Sequence, residues 1–253
     1  MRAEARHQLK QDRFAHAVAG TAAGTLTWAS EHRNRAVWII SVLAGALIIA
    51  AGLMFWHNQR SEAAAGELSH ALRTYSAPLR TPDQPVVDPS QPGYLSAAER
   101  SAAAQKEFEA IAGKYHMTDA GRMARYFVGV TLKDQGKNAE AEKQLREVAN
   151  SGNRDIAALA HYALASLYAG MQRDGDAIRE YKELIDHPAS TVAKSTAQLE
   201  LGAIYEQKRQ TQDAVKIYQD IKKDEPKGPA AEVANQRLAA LGQPQPPTPI
   251  GAR

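Results

Sequence analysis

Three stretches of the chain align on one another: ARYFVGVTLKDQGKNAEAEKQLREV at 124–148, ALAHYALASLYAGMQRDGDAIREYKEL at 158–184, and AQLELGAIYEQKRQTQDAVKIYQDI at 197–221. They recur about every 36 residues, the length of one helix–turn–helix unit. Each carries a small residue (Gly129, Ala165, Gly202) three positions before a bulky one (Leu132, Tyr168, Tyr205). Nine positions further on stands an alanine (Ala141, Ala177, Ala214), and four beyond it a large residue (Leu145, Tyr181, Tyr218). Two antiparallel helices need small residues where they cross and large knobs beside the crossing. A pair built this way keeps an apolar face that only another pair can cover. The pattern therefore predicts an all-α solenoid of helix pairs. The turns are expected at Gln135-Gly136-Lys137, Arg173-Asp174-Gly175 and Arg209-Gln210-Thr211, with glycine assisting two of the three. Pro188 and Pro226 fall where a proline ends a second helix without breaking it.

The small, bulky, alanine and aromatic positions at matched offsets resemble the tetratricopeptide repeat, in three units over 121–229. The tryptophan usual early in the first helix of such a unit is replaced by Arg125, His161 and Gln198. A degenerate unit is expected ahead of these, over 57–120. Ala104 and Phe108 followed by Ile111 read as its second helix, and Ser61 to Tyr75 as its first. The Pro-rich loop at 77–93 between them is longer than an ordinary turn. A closing helix is expected at 230–242, covering the last open face. The tail 243–253, QPQPPTPIGAR, is too rich in proline to pack and reads as disordered.

Ahead of the repeats, Ala36 to Trp56 forms 21 residues without a charge. At about 1.5 Å per residue a helix of this length spans roughly 31 Å, the hydrocarbon thickness of a bilayer. Ten of its residues are Val, Ile, Leu or Phe. Together they favour insertion by roughly 3–6 kcal/mol. Trp38 and Trp56 stand near the two ends, where indoles favour the interface. A buried core helix would carry a polar face, and this one has only Ser41. A cleaved signal peptide would have a shorter apolar stretch and a shorter leader, although Ala63-Ala64-Ala65 offers a small-residue run for cleavage. The reading is a single N-terminal transmembrane helix over 36–56. The Ser41-x-x-x-Gly45 spacing suits pairing of spans only weakly.

The net charge of +3 is carried by residues 1–35, which hold six Lys and Arg against three acids. The other 25 of the 31 basic residues are balanced by 25 of the 28 acids. Charge confined to a short tail beside an apolar span reads as an orientation signal, with 1–35 cytoplasmic and the repeats outside. Within 20 residues of the span, however, the basic residues tie, Arg33 and Arg35 against Arg60 and Arg73. A surface helix is read over about Gln8 to Glu31. No basic patch marks the neutral remainder, so no nucleic acid is expected as a partner.

No catalytic constellation stands out, and the chain reads as a non-enzyme without cofactors. There is no cysteine, hence no thiolate nucleophile and no disulfide. His161 and His187 have no companion at metal-ligand spacing, and His161 reads as a helix-packing residue. Asp174 and Asp176 lack the later oxygen ligands of a calcium loop. Gly129, Gly202 and Gly242 are scattered and form no phosphate loop.

The candidate site is instead a concave groove lined by one stripe of each first helix. The stripe comprises Met123, Tyr126, Val130 and Lys133; Leu159, Tyr162, Ser166 and Ala169; and Thr196, Leu199, Ala203 and Glu206. It is mostly apolar and aromatic, and Thr196 and Glu200 stand where a clamp for a C-terminal carboxylate would need basic residues. An apolar helix or extended segment suits it better than an acidic tail. The competing reading is that Tyr126 and Tyr162 simply pack between repeats, or that the chain's own N-terminal helix fills the groove.

A basic tail, one span and a tetratricopeptide domain resemble the bacterial family of ancillary SecYEG translocon subunits, grouped with the periplasmic cell-division coordinators. The run LKQDRF…TWASEHRNR before the span and the long first loop carry much of that likeness. It implies a protein-binding scaffold of the inner membrane that faces the periplasm. The partners implied are translocon subunits, periplasmic chaperones or emerging polypeptides. The alternative is a structural scaffold in cell-envelope assembly or cell division.

Overall fold

A computed structural model describes residues 33–81 and 93–242. The described residues are all-helical, with nine helices among them. These are α1 (Arg33–Ser76), α2 (Ala97–Lys114), α3 (Asp119–Asp134), α4 (Asn138–Ala149), α5 (Arg154–Gly170), α6 (Asp174–Asp186), α7 (Lys194–Gln207), α8 (Thr211–Asp224) and α9 (Pro229–Ala240). The surface helix expected before the span, most of the Pro-rich loop and the tail lie outside the described residues. Two compact units divide at Gln59 and Arg60, within the continuous helix α1. In the first unit the large apolar side chains described between Val37 and Trp56 are exposed. Among the described residues α1 is the one helix long and apolar enough to cross a membrane.

The second unit is built on close helix crossings. A Cβ on Gly129 would lie 2.6 Å from Cγ of Leu145, and one on Gly202 would lie 2.6 Å from the Tyr218 ring. These are contacts a methyl group cannot make, so the glycines let α3 meet α4 and α7 meet α8. Ala165 fills the corresponding place in α5 and is fully buried. Leu132, Tyr168 and Tyr205 are buried beside the crossings, as are Ala141, Ala177 and Ala214 opposite them. At the start of the unit, Ala64 and Ala71 of α1 are buried in the same core as Ala104 and Phe108 of α2. Tyr75, Phe108 and Phe127 form an aromatic cluster that joins α1, α2 and α3, with Phe108 and Phe127 stacked at 5.0 Å. Burial, and the Asp134 carboxylate that accepts its hydroxyl at 3.0 Å, push Tyr75 up to about 12.

Some of the helices begin with a side-chain cap and others without one. Ser96, Thr118 and Asn153 cap α2, α3 and α5 by accepting backbone N–H groups of the first turn. By contrast α4, α6 and α8 have no side-chain cap. The chain enters each of them directly from a Schellman turn. Lys137, Arg173 and Gln210 donate N–H bonds back to Leu132, Tyr168 and Tyr205, while Gly136, Gln172 and Arg209 donate to Lys133, Ala169 and Glu206. The left-handed residue of the turn is Gly136 (φ 74), Gln172 (φ 59) or Arg209 (φ 57). This corrects the expected second and third turns. They are Met171 to Arg173 and Lys208 to Gln210, so Gly175 lies within α6 and Thr211 begins α8. Glycine marks only the first turn, because its position is set by hydrogen bonds back to the bulky residue and two of the three accept a strained side chain.

Polar contacts then join successive pairs. Tyr168 donates its hydroxyl to Glu142 at 3.1 Å and accepts from Arg146, while Arg173 lies over its ring and binds Glu142 at 2.7 Å. Asp155, at the start of α5, accepts from the backbone and hydroxyl of Ser190 before α7; these bonds hold its carboxyl below the usual carboxylate range. Glu67 of α1 accepts from Lys114 at 2.7 Å and from Tyr115 at 2.8 Å, and both bonds lower its pKa.

Gly202→Ala, which drives a methyl into the Tyr218 ring, is expected to cost ~1–3 kcal/mol in urea unfolding. Gly175→Ala, in open space on a helix, is expected to stabilise by up to ~0.5 kcal/mol; a loss there would restore Gly175 to a turn. For pH, the depressed Glu67 contributes stability above its unfolded value of about 4.5, and that share is lost as pH falls through its lower folded value. Glu67→Gln should therefore flatten the acid limb of a stability-versus-pH curve below about pH 4.5.

Candidate functional site

The stripe read from the sequence lies on α3, α5 and α7. Met123, Tyr126, Val130 and Lys133 of α3 are half-buried, as are Leu159, Tyr162, Ser166 and Ala169 of α5 and Leu199, Ala203 and Glu206 of α7. Thr196 is exposed. Each of these half-buried residues is therefore neither fully enclosed nor fully exposed.

Several of these residues are also tied to one another or to the core. Met123 and Tyr126 pack on a small cluster made by Val148 of α4 with Ile156 and Ala160 of α5. Burial there pushes the Tyr126 hydroxyl above the usual tyrosine range. Lys133 donates to Ser166 at 3.2 Å, which links α3 to α5. Tyr162 lies edge-on to Tyr181 at 5.9 Å and donates to Glu200 of α7 at 3.4 Å. Burial and the Glu200 charge raise the pKa of Tyr162. Glu206 accepts from Tyr218 at 2.5 Å and pairs with Arg237 of α9 at 3.6 Å. Leu159, Leu199 and Ala169 rest on the main core. The two tyrosines thus serve packing between repeats while presenting part of each ring on this face.

Glu200, absent from the stripe as read, belongs to the face through its bond to Tyr162. Its sequence signal was its place one position after Leu199, which a single-stripe reading skips. A second feature was also missed. A hollow of about 520 Å³ opens where Arg146 of α4 and Asn150 just after it meet Asp176, Arg179 and Glu180 of α6; a second, of about 300 Å³, is lined by Ser151, Arg154, Glu183 and His187, and the two share His161 as a wall. His161 Nδ1 lies 2.8 Å from the Glu180 carboxylate, so this histidine is polar-paired and does more than fill space. Arg125, at the equivalent place in the preceding repeat, pairs with Glu147 of α4. Where such units usually carry tryptophan, these two repeats use a polar side-chain pair between their first and second helices.

This geometry belongs to a known class. The chain matches the Tetratricopeptide repeat-like domain family over residues 27–242, which takes in the apolar stretch as well as the repeats. It is a member of that family, and its class is that of a protein-interaction scaffold. No curated protein matches the chain.

The dual role of Tyr126 has a direct measure. Tyr126→Ala is expected to destabilise by ~1–3 kcal/mol, less than the ~3–5 kcal/mol of a fully buried aromatic. Lys133→Ala, which removes a part-buried bond to Ser166, should cost up to about 1 kcal/mol. Equal, near-zero values in urea melts would show that Tyr126 takes no part in packing.

Proposed function

We propose that this chain is an inner-membrane protein whose α1 crosses the bilayer over 36–56, with residues 1–35 in the cytoplasm and the repeats in the periplasm. There the face of α3, α5 and α7 binds protein segments in the service of Sec-dependent translocation or the handover of emerging chains to periplasmic chaperones. The observation that carries this reading is the pairing of a long, solvent-exposed apolar helix with an array of helix pairs. Exposed apolar surface on that scale is unfavourable in water and is covered by lipid or by another protein. The six basic residues of 1–35 support the orientation. The part-exposed Tyr126 and Tyr162, with Met123, Val130 and Leu199 on the same stripe, support a partner that offers an apolar helix or an extended strand rather than an acidic tail.

The test combines topology and capture. An alkaline phosphatase fused after Arg253 is expected to be active, and a cytoplasmic reporter at the same place silent; the opposite result reverses the orientation. Detergent extraction and purification through the native chain should recover translocon subunits or periplasmic chaperones. Recovery of division or outer-membrane machinery instead would move the scaffold to envelope assembly. The double variant Tyr126→Ser, Tyr162→Ser should lose crosslinks to these partners while its helical circular dichroism is retained. Full crosslinking by a folded double variant would remove this face from the site.

A further inference from the structure

Resting on the reading of the α3, α5 and α7 stripe as the binding face, we propose that its α7 end selects basic segments. The partner offers an apolar stretch together with a lysine or arginine, and Glu200 with Tyr162 receives that cation. Glu200 is exposed on α7. Among the described residues the Tyr162 hydroxyl, at 3.4 Å, is the one group bonded to its carboxylate, and it reaches a single oxygen.

The sequence around Glu200 leaves that charge without a cation. On a helix the side chains in reach of position 200 stand three and four residues away, and these are Thr196, Ala197, Ala203 and Ile204. None is basic. Across the face, Tyr162 and Ser166 of α5 are neutral, and His161 of that helix is bonded to Glu180 at 2.8 Å. On α9, Arg237 pairs with Glu206 at 3.6 Å. Lys133, the base of the stripe, belongs to α3 and donates to Ser166 at 3.2 Å. Carboxylates at other helix pairs are met by bases: Glu147 by Arg125, Glu142 by Arg173 and Asp224 by Lys194. Glu200 thus differs from them in drawing its counter-charge from outside the repeats.

Its surroundings suit an organic cation. Tyr162 lies edge-on to Tyr181 at 5.9 Å. Burial first, and then the Glu200 charge, raise the pKa of both hydroxyls, so that charge is felt at both rings. Leu199 and Ala203 on the same helix are half-buried. A lysine or arginine lays its apolar stem on surfaces of this kind and gives its charged head to a carboxylate and a tyrosine ring. A hard metal ion gathers six or more oxygens, whereas Glu200 is a single carboxylate. The charge also sets a direction. With Lys133 at the α3 end and Glu200 at the α7 end, a segment crossing the face points its base toward α7.

Three fluorescent peptides of about ten residues, long enough to cross such a face, test this. They share an alternating leucine–serine sequence with blocked, uncharged ends and differ in one central residue: lysine, glutamine or glutamate. Binding to the full chain in phosphatidylcholine nanodiscs is read by anisotropy, with empty nanodiscs as the blank. The lysine peptide is expected to bind about 3- to 30-fold more tightly than the glutamine peptide, as an exposed ion pair and a cation–π contact together allow. Glu200→Gln should bring the two together, and Glu200→Lys should turn the preference to the glutamate peptide, with the helical circular dichroism of both variants retained. Equal binding of all three peptides that is lost in the double variant Tyr126→Ser, Tyr162→Ser overturns selection by Glu200 and leaves the face as the binding site. A lysine preference that survives Glu200→Gln, or a glutamate preference in the native chain, overturns it as well. Binding of no peptide, or binding that the double variant leaves unchanged, overturns the face itself.

Discussion

The contact on which the rest depends is the crossing of two helices too close for any large side chain at the meeting point. Gly129 under Leu145 and Gly202 under the Tyr218 ring bring two of the pairs together at a distance that alanine would disturb, and a buried alanine, Ala165, fills the same place in the third. Once so joined, a pair has its large residues on the outside of the crossing and an apolar side left over. Covering that side requires another pair, and the array follows from the requirement. The same logic explains both ends of the unit. At one end α1, beyond Arg60, supplies alanines at 64 and 71 against Phe108; at the other α9 closes with Ala234 and Leu238 buried in the common core.

Polar chemistry in this chain serves order between repeats more than reactivity. The raised pKa values belong to tyrosines that burial keeps protonated, and to cations held by carboxylates. The lowered ones belong to carboxylates that join one element to the next, such as Asp176 with Arg173 and Asp224 with Lys194. Each stays in the protonation state that suits a joint. Several of these joints lie on the α3, α5 and α7 stripe itself, where Lys133 meets Ser166 and Tyr162 meets Glu200, so the stripe links successive repeats.

How much of this was legible in the sequence depends on the kind of contact. The small, bulky, alanine and aromatic positions could be read because each side chain there answers to one neighbour at a fixed offset along the chain. The turns were read less well. Glycine was taken as their marker, yet Gln172 and Arg209 occupy the left-handed position, since backbone bonds to Tyr168 and Tyr205 hold them there against a cost of ~1 kcal/mol each. The stripe residues were legible from helical periodicity, but periodicity says nothing of Glu200 reaching across to Tyr162.

Periodicity and composition alone determined an all-helical repeat chain with one uncharged helix ahead of it, because both signals are local and every residue in them repeats the same instruction. Tertiary structure decided the rest. It alone paired His161 with Glu180 and Arg125 with Glu147, lodged Tyr126 between repeats, and fastened the α2–α3 corner to Arg60. Those contacts join residues about 20 to 50 positions apart, and no offset along the chain encodes them; they exist only once the helices have crossed and brought their backs together.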